Sequence, residues 1–312
     1  MNGANLCEAK TSSTLRGVAA AVLSNGLFSI LFLYSMWMQP LSGTDVFAWR
    51  MIGMLFALLA LMSLSRSWGA ARSFAAGLGM NLRNWLPLLL TTPIIASQLW
   101  LFMWAPVNGE GINVAMGYFL FPLAMMLAGR IWLKERLNRL QSCAVLLAAA
   151  GVGWQLVHSG AFSWATLWVC GTYPVYYLLR RRFGIPSLIG LTIDLALIAP
   201  CMLVYILLSS ESLAVIAAHP QLAVWIVLLG INSALAMYLN LQANQMLPVV
   251  IFGMLSYLEP ILLFVLSVVL LNETVSSQDW IGYGLIWSGL CLLLLQGLLY
   301  GIRQRCTNNH AV

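Results

Sequence analysis

Charge is scarce in this sequence. Of its 312 residues, only 8% are Asp, Glu, Lys or Arg, whereas 61% are hydrophobic. Soluble domains average about 25% charged and about 45–50% apolar residues. The mean hydropathy is +0.88, and long apolar runs recur along the whole chain, so a water-soluble protein is excluded. The composition predicts a helical protein that crosses a membrane many times.

Residues that hold metals or form disulfides are also few. The six cysteines stand singly at positions 7, 143, 170, 201, 291 and 306, and the three histidines lie far apart at 158, 219 and 310. No CxxC pair and no Cys/His spacing typical of a metal site is present. A Walker-type GxxxxGK[ST] motif is missing too, so the chain does not hydrolyse ATP by itself. We expect no cofactor, no bound metal and no catalytic residue.

Ten apolar segments are long enough to span a bilayer, which takes about 20 residues. Clusters of charge, Pro or Gly separate them. The first segment follows a short polar N-terminus without an obvious cleavage site, which indicates an uncleaved span rather than a signal peptide. The predicted helices cover residues 15–37, 45–64, 85–105, 111–133, 139–158, 161–180, 186–208, 222–241, 249–271 and 279–301.

The basic residues fall on one side of the predicted membrane. With both termini in the cytoplasm, 14 of the 15 Lys and Arg lie on the cytoplasmic side, and only Arg50 is left, inside span two. The opposite loops carry Glu110, Glu211, Glu273 and Asp279 and no basic residue. This is the positive-inside pattern, which fixes the orientation. It accounts for the net charge of +6 without a nucleic-acid partner, and the basic face can contact anionic membrane lipid.

An internal repeat relates two halves of the chain. Residues 122–151 align without a gap with residues 260–289, and the identical anchors are Pro122 with Pro260, Glu135 with Glu273, and Gly151 with Gly289. We assign the two glutamates to turns and helix ends. Because each half contains an odd number of spans, the halves take opposite orientations in the membrane. Inverted repeats are typical of secondary transporters, which bind their substrate between the halves near the midplane.

Three passages carry a resemblance to a known family: "WLFMWAPVNGEGINVAMGYFLFPL" (100–123), "LKERLNRLQSCAVLLAAAGV" (133–152) and "QMLPVVIFGMLSYLEP" (245–260). With the paired P-x12-E units, the chain resembles the EamA family of the drug/metabolite transporter superfamily, and within it the RarD-like permeases. The resemblance implies an all-α membrane protein with ten transmembrane helices in two inverted five-helix EamA repeats. These would be residues 1–158 and residues 159–312, the latter with a short cytoplasmic tail. It also implies export of small metabolites or drugs across the inner (plasma) membrane.

The sequence departs from the RarD-like pattern at two places. Gln98–Leu99 stands where these proteins usually have Asn–Trp, and Asn113 stands where they usually have Glu. An identical substrate or coupling scheme therefore does not follow from the resemblance. Exporters of opine metallophores belong to the same superfamily. Metallophores thus remain candidate substrates beside amino-acid-like compounds and drugs.

Three ionisable residues lie inside predicted spans, where a charge is costly and usually functional. Arg50 could hold a substrate carboxylate in a bidentate pair, or it could lock to an internal acid or reach outward to the membrane surface. Asp194 lies about 12 Å into span seven. It could bind a cationic group or a proton, or it could be a structural carboxylate bonded to a neighbouring helix.

Glu259 is the third ionisable residue, near the middle of the apolar run 253–274. Pro260 follows it directly, removes a backbone donor and disturbs the helix. Such a disturbance is tolerated in a membrane only where it is buried or lines a cavity. We therefore expect Glu259 to face the cavity between the repeats and to carry protons by switching between its two protonation states. A role in helix packing is the alternative.

Polar and aromatic side chains within or near the spans would suit an amphipathic solute, although each could instead serve packing or the aromatic belt at the membrane surface. Those assigned to substrate binding or coupling, beside the three ionisable residues, are Gln98, Trp104, Asn108, Asn113, Tyr118, Asn232 and Tyr257; Tyr238, Asn240 and Trp287 are of the same kind. We expect a cavity lined by span two near Arg50 and by spans three, four, seven, eight and nine. The small residues of "GVG" (151–153) and "GYG" (282–284) predict close helix contact or a homodimer.

The sequence as a whole predicts a secondary transporter and not an enzyme. It would export small polar or amphipathic metabolites, driven by a proton or another gradient. An importer of the same fold is an alternative, because a fold does not fix the direction of transport. An alternative of another class is an integral-membrane enzyme, which would need paired acids with His or a metal cluster at one membrane face.

The orientation can be tested by cysteine-accessibility labelling in intact cells. Because the basic residues lie on one side, we expect a cysteine in the 209–221 loop to be labelled from outside and one in the 66–83 loop to be labelled only from inside. Labelling of both loops from the same side would contradict the predicted topology.

Overall fold

The computed structural model describes residues 3–79, 81–108, 110–134, 138–159 and 164–262, followed by residues 265, 280–282, 284–289 and 291–292. The elements in these residues are all helical. The helices are α1 (Gly3–Trp37), α2 (Gly43–Leu64), α3 (Trp68–Leu78), α4 (Leu82–Trp104), α5 (Gly111–Trp132), α6 (Arg139–Ser159), α7 (Trp164–Arg182), α8 (Ser187–Ser209), α9 (Ser212–Ala218), α10 (Gln221–Met246) and α11 (Val249–Leu255). A single 3-10 turn, Ala105–Val107, follows α4.

The first eight predicted spans correspond to α1, α2, α4, α5, α6, α7, α8 and α10. Most boundaries agree within a few residues; α1 begins earlier, at Gly3, because the polar N-terminal segment is helical as well. Span nine is described only as far as residue 262, and span ten only in part. Glu135, Glu273 and Asp279 lie outside the described residues. The total of ten helices, the inverted repeats and the two domains stay predictions.

Six described helices are long and apolar enough to cross a bilayer: they contain Thr14–Leu31, Gly43–Leu64, Leu82–Val107, Arg139–His158, Ser187–Ser209 and Gln221–Met246. Two shorter apolar helical stretches are Gly117–Trp132 and Val249–Leu262. The 19-residue helix α7 is not among the six, because three arginines and three tyrosines lower its hydropathy. Several of those side chains are buried against other helices. A helix with both polar and apolar side chains is tolerated inside a membrane bundle when its polar side chains are buried against other helices.

Two short helices lie in loops where none was predicted. The helix α3 occupies the predicted cytoplasmic loop 66–83 and buries none of its residues. Its mixture of arginine, tryptophan and phenylalanine is typical of a helix that lies on a membrane surface. The helix α9 lies in the predicted outer loop, where the Oγ of Ser212 accepts a hydrogen bond of 3.0 Å from the indole N–H of Trp49.

The helices α2 and α10 cross at two glycines. A Cβ placed on Gly230 would lie 2.6 Å from the carbonyl carbon of Gly53, so the two backbones touch. Small residues allow such close approach between membrane helices. Arg50 and Ser233 lie one turn away from these glycines on the same two helices, and a hydrogen bond joins them. The glycine contact therefore sets the position of the arginine.

A second close contact joins α6 to the described residues 280–292. A Cβ on Gly151 would lie 2.7 Å from the carbonyl oxygen of Gly282, and a Cβ on Gly289 would lie 2.8 Å from that of Ala144. Gly153 and Gly284, from the same small-residue motifs, have open space instead. Part of the small-residue pattern thus serves contact within one chain, and a homodimer stays a prediction.

The glycine crossing can be tested by adding one methyl group. We expect Gly230→Ala to destabilise the protein by about 1–3 kcal/mol, because overpacking forces the two backbones apart. Thermal melting of the purified protein in detergent measures the loss. Gly171→Ala is the matched control, since a Cβ at Gly171 meets no atom within 4 Å and alanine favours the helix by about 1 kcal/mol. Equal melting temperatures for the two variants would contradict the crossing.

Candidate functional site

A small cavity lies between seven helical segments. Its volume is about 30 Å³, enough for roughly one or two water molecules. The lining side chains are Phe28, Arg50, Leu99, Phe102, Tyr118, Phe121, Tyr173, Tyr177, Asn240, Ser256 and Glu259. Pockets that hold drug-sized ligands measure about 300–1,000 Å³. The helices are therefore closed around this cavity, and a metabolite could enter it only if they moved apart.

The cavity differs from the predicted one in its helices. The prediction named spans two, three, four, seven, eight and nine. The lining residues come from α1, α2, α4, α5, α7, α10 and the segment 249–262, which are spans one, two, three, four, six, eight and nine. Span seven contributes no lining residue. Its one acidic side chain, Asp194, pairs with Arg180 instead. Residues from both predicted halves of the chain, 1–158 and 159–312, meet in the cavity.

Arg50 is the basic group of the cavity, and it is completely buried. Its Nε donates a hydrogen bond of 2.9 Å to the Oγ of Ser233. Its guanidinium carbon lies 5.5 Å from the centre of the Phe102 ring. At this distance the cation is attracted to the face of the ring by a cation–π interaction. Its Nη1 has no hydrogen-bond partner. A buried cationic donor left unpaired is costly, so Nη1 is available to an acceptor that enters the cavity.

Glu259 is the acidic group of the same cavity. It follows a turn at Ser256–Tyr257 that interrupts the helix after Leu255. Asn25 on α1 donates a hydrogen bond of 3.1 Å to the carbonyl oxygen of Leu255 and so stabilises the end of α11. Glu259 and Arg50 interact electrostatically, yet they do not form a direct ion pair. Within the described residues, one ion pair closer than 4.0 Å is found, and it joins Arg180 to Asp194.

Aromatic rings form much of the cavity wall. The ring of Tyr173 lies 5.2 Å from that of Phe121, 5.8 Å from that of Tyr177 and 5.9 Å from that of Tyr118. The hydroxyl of Tyr177 donates a hydrogen bond of 2.6 Å to the Oδ1 of Asn240. Linked rings of this kind give a stiff surface that can stack against an apolar or aromatic solute.

Asp194 does not line the cavity. It is completely buried, where Nη1 of Arg180 donates to its Oδ2 and Oγ1 of Thr92 donates 2.8 Å to its Oδ1. Arg180 also donates 2.9 Å to the hydroxyl of Tyr176. This arrangement is the structural alternative named for Asp194 above. Arg180, counted from sequence among the basic residues of the cytoplasmic side, is buried in the last turn of α7.

Hydrogen bonds join the helices at both ends of the bundle. At the predicted cytoplasmic end, Arg181 donates to the carbonyl oxygens of Asn244 and Leu247, where α10 ends. At the predicted outer end, the hydroxyls of Tyr205 and Ser210 donate to Oδ1 of Asp45, where α2 begins. These two groups of contacts connect α7 with α10 and α2 with α8, on opposite sides of the cavity.

Of the ten residues assigned to the site, Arg50, Tyr118 and Glu259 line the cavity, and the other seven do not. Gln98 donates to Trp168 and Thr172 on α7, and Asn232 donates to the carbonyl of Leu27 on α1. Tyr257 is buried in a second apolar cluster with Phe119 and Met254. The remaining members of the wider polar and aromatic set are placed as follows: Tyr238 accepts from Gln242, Asn240 lines the cavity, and Trp287 packs against the second cluster.

Three assigned residues lie near the start of α5. The ring of Trp104 stacks on Trp100 at 4.9 Å, and Asn108 donates 2.8 Å to the carbonyl of Trp104. Asn113 donates 2.7 Å to Oε2 of Glu110. A carboxylate therefore stands one helical turn before the position where RarD-like proteins usually have Glu.

Sequence reasoning missed several cavity residues: Phe28, Leu99, Phe102, Phe121, Tyr173, Tyr177 and Ser256. A signal for three of them was present. Tyr173 and Tyr177 are four residues apart on α7, so they share one face of that helix. Tyr118 and Phe121 are three apart on α5 and also share a face. Two aromatic faces on packed helices indicate an aromatic wall.

Comparison with known proteins gives consistent matches. Residues 153–295 match the model of the EamA-like transporter family. An uncharacterized transporter of Haemophilus influenzae is 47% identical over 292 residues, which cover 93% of this chain and 97% of the relative. The chloramphenicol-sensitive protein RarD of Pseudomonas aeruginosa is 33% identical over 279 residues, 89% of this chain and 93% of the relative. A solved structure, described only as the crystal structure of a protein, has the same fold, with a TM-score of 0.64, 22% identity and coverage of 91% of this chain and 99% of that one.

The buried ion pair predicts an asymmetry between single and double variants. We expect Asp194→Asn to lower the free energy of unfolding by about 3–5 kcal/mol, because it leaves the Arg180 cation buried and uncompensated. Replacing both partners, as in Asp194→Leu with Arg180→Met, removes both charges and should restore much of the loss. Melting of the parent, of Asp194→Asn and of the double variant in detergent compares the three stabilities. A double variant that is less stable than Asp194→Asn would contradict this account of the pair.

Proposed function

Because the chain belongs to the EamA-like transporter family and is a multi-pass membrane transporter, we propose that it exports small polar or amphipathic metabolites from the cytoplasm. It does so across the inner membrane by alternating access, driven by a proton or another gradient. Candidate substrates are amino-acid-like compounds, metallophores and drugs. The observation that carries the proposal is the cavity between the helices, which is lined by buried Arg50 and half-buried Glu259. These two residues do not form an ion pair.

Transport requires the cavity to open to one side at a time. The hydrogen bonds of Arg181 at the predicted cytoplasmic end and those of Asp45 at the predicted outer end are suited to such one-sided opening. Opening toward the cytoplasm would separate Arg181 from the end of α10, and opening outward would separate Asp45 from Tyr205 and Ser210. If one group holds while the other breaks, the solute is never exposed to both sides together.

Glu259 is the residue we assign to energy coupling. An ionised Glu259 attracts a cationic group of the solute, whereas a protonated Glu259 does not. A proton arriving from outside would therefore release the solute there, and loss of that proton to the cytoplasm would restore the binding state. Arg50 and Tyr118 are assigned to substrate binding. Asp194 is assigned to the stability of the α7–α8 hairpin through its pair with Arg180.

Glu259→Gln tests this assignment in proteoliposomes with an imposed pH gradient. Glutamine keeps the shape and most hydrogen bonds of the side chain but does not titrate. We expect gradient-driven export to fall at least about tenfold, while exchange of substrate without a gradient persists. Glu211→Gln is the matched control, since Glu211 is an exposed acid in the predicted outer loop. It should transport like the parent.

Three results would count against the proposal. Undiminished gradient-driven export by Glu259→Gln, at equal expression and melting temperature, would remove Glu259 from the coupling. Net uptake in the direction of the physiological gradient would make the protein an importer. Chemical conversion of the solute, without its movement, would indicate an enzyme.

A further inference from the structure

The connection between α2 and α4 forms a basic surface that the cavity does not use. We propose that this α3 surface, which consists of α3 (Trp68–Leu78) with Arg66 before it and Arg83 after it, binds the phosphate headgroups of anionic phospholipids in the cytoplasmic leaflet. The partner is the lipid bilayer itself. This role is independent of the solute that the cavity binds and of the direction of transport.

The helix α3 lies where two membrane-spanning helices end. The helix α2 ends at Leu64 and α4 begins at Leu82, and both helices are long and apolar enough to cross a bilayer. The side chains of Leu64 and Leu82 are 83% and 70% exposed, so the protein does not cover these helix ends. The 11 residues of α3 therefore extend for about 16 Å between two spans, at the boundary between hydrocarbon and water.

One side of α3 rests on the bundle, and the other sides are left open. Half-buried residues recur at every third or fourth position and so lie on one side of the helix: they are Ser67, Ala71, Phe74 and Leu78. Among them, Ala71 packs against the hydrophobic core. No residue of α3 is fully buried. The helix thus has a fixed seat on the protein and a free outer surface for a partner.

Three arginines give the α3 surface its charge. Arg66, Arg72 and Arg83 are all exposed, and none of them takes part in the one ion pair found within the described residues. The sequence contains no acidic residue between Asp45 and Glu110, so this part of the chain supplies no counter-charge. Lipid phosphates are the anions concentrated at the cytoplasmic surface of a bilayer. The planar fork of a guanidinium group binds a phosphate with two hydrogen bonds.

An exposed tryptophan favours a lipid surface over a soluble acidic partner. Trp68 is 43% exposed, and it shares a side of α3 with Arg72, four residues later. Its indole N–H donates a hydrogen bond of 3.1 Å to the Oγ of Ser63 near the end of α2, which orients the ring. Indole rings are enriched at the level of the lipid headgroups. An indole ring beside a guanidinium group therefore suits the boundary where phosphates meet acyl chains.

The end of α3 is fastened to the first turn of α4. The Nδ2 of Asn84 donates a hydrogen bond of 2.8 Å to the carbonyl oxygen of Leu78, and the indole N–H of Trp85 donates one of 3.0 Å to that of Gly79. A lipid that holds α3 therefore also restrains the start of α4. Because the lipid binds the folded protein, its binding should raise the melting temperature.

Native mass spectrometry and thermal melting of the purified full-length protein in detergent test the proposal with three probes. Phosphatidylglycerol carries one negative charge, phosphatidylcholine has no net charge, and glycerol 3-phosphate carries the phosphate without acyl chains. We expect phosphatidylglycerol to bind at least about tenfold more tightly than phosphatidylcholine and to raise the melting temperature. Glycerol 3-phosphate at the same concentration should not raise it. Addition of about 0.5 M NaCl should weaken the binding of phosphatidylglycerol, because salt screens exposed charges.

Two variants remove charge from the α3 surface. Arg72→Gln should weaken the binding of phosphatidylglycerol about fivefold. The triple variant Arg66→Gln, Arg72→Gln and Arg83→Gln should weaken it at least about tenfold and remove the rise in melting temperature. Because the three side chains are exposed, the melting temperature without lipid should match that of the parent. If the triple variant is unstable, the single variant still gives the comparison.

The matched control removes three arginines elsewhere on the predicted cytoplasmic side. It combines Arg16→Gln, Arg139→Gln and Arg182→Gln, which are exposed residues of α1, α6 and α7. The net charge changes by the same amount as in the test variant. We expect this control to bind phosphatidylglycerol like the parent.

Four outcomes would overturn the proposal. If the control triple variant loses as much binding as the α3 triple variant, the attraction belongs to the basic face as a whole. If phosphatidylcholine binds the parent as tightly as phosphatidylglycerol, charge is not recognised. If glycerol 3-phosphate raises the melting temperature equally, the surface holds a soluble phosphate. If poly-L-glutamate binds the parent more tightly than phosphatidylglycerol does, the partner is an acidic protein.

Discussion

Contact between two glycines positions a buried arginine that has no direct ion-pair partner among the described residues. At the crossing of α2 and α10, the backbones of Gly53 and Gly230 touch, and this contact brings Ser233 within hydrogen-bonding distance of Arg50. A guanidinium in a low-dielectric interior is stable only if its donors are satisfied or its environment is fixed around it. Ser233 and Phe102 provide part of that environment, and the unpaired Nη1 is left for the solute. The cavity and the proposed role of Arg50 in substrate binding depend on this placement.

Two pairs of ionisable residues inside the described helices differ in their contacts. Arg180 and Asp194 neutralise each other directly, with Thr92 and Tyr176 as further partners. Such a pair fixes the hairpin, and neither residue lines the cavity, although Nε and Nη2 of Arg180 have no hydrogen-bond partner in the described part of the chain. Arg50 and Glu259 share a cavity and interact electrostatically, but without a direct ion pair. The two pairs differ in the distance between the cation and the carboxylate: Arg180 and Asp194 are in direct contact, whereas Arg50 and Glu259 are not. Residues of the same chemistry thus have a structural role in the first pair and a proposed binding role in the second.

Hydropathy alone located most of the long helices, because a span in hydrocarbon must be apolar along its whole length. The same apolar character gave no indication of where the cavity lies. A membrane helix is apolar toward lipid and apolar toward its neighbours, so periodicity does not tell which face is buried. Phe102 therefore gave no signal as a lining residue, and Arg180 looked like one of three arginines at the cytoplasmic end of a span. Arg50 and Glu259 could be found because charge inside a span is rare enough to stand out. Asp194 stood out for the same reason, although its partner on α7 could not be recognised from the sequence.

The hydrogen bond from Asn25 to the carbonyl of Leu255 joins residues 230 positions apart in the chain. Since α1 is synthesised first, it enters the membrane long before its partner exists. Asn25 already donates 2.8 Å to the carbonyl of Ala21, and Ser24 and Ser29 also donate to carbonyls of their own helix. Ser24, Asn25 and Ser29 thus each donate to an acceptor within α1 while the helix is alone in the bilayer. The contact with Leu255 forms only when the last helices arrive, so completion of the binding cavity is a late event in the biogenesis of the protein.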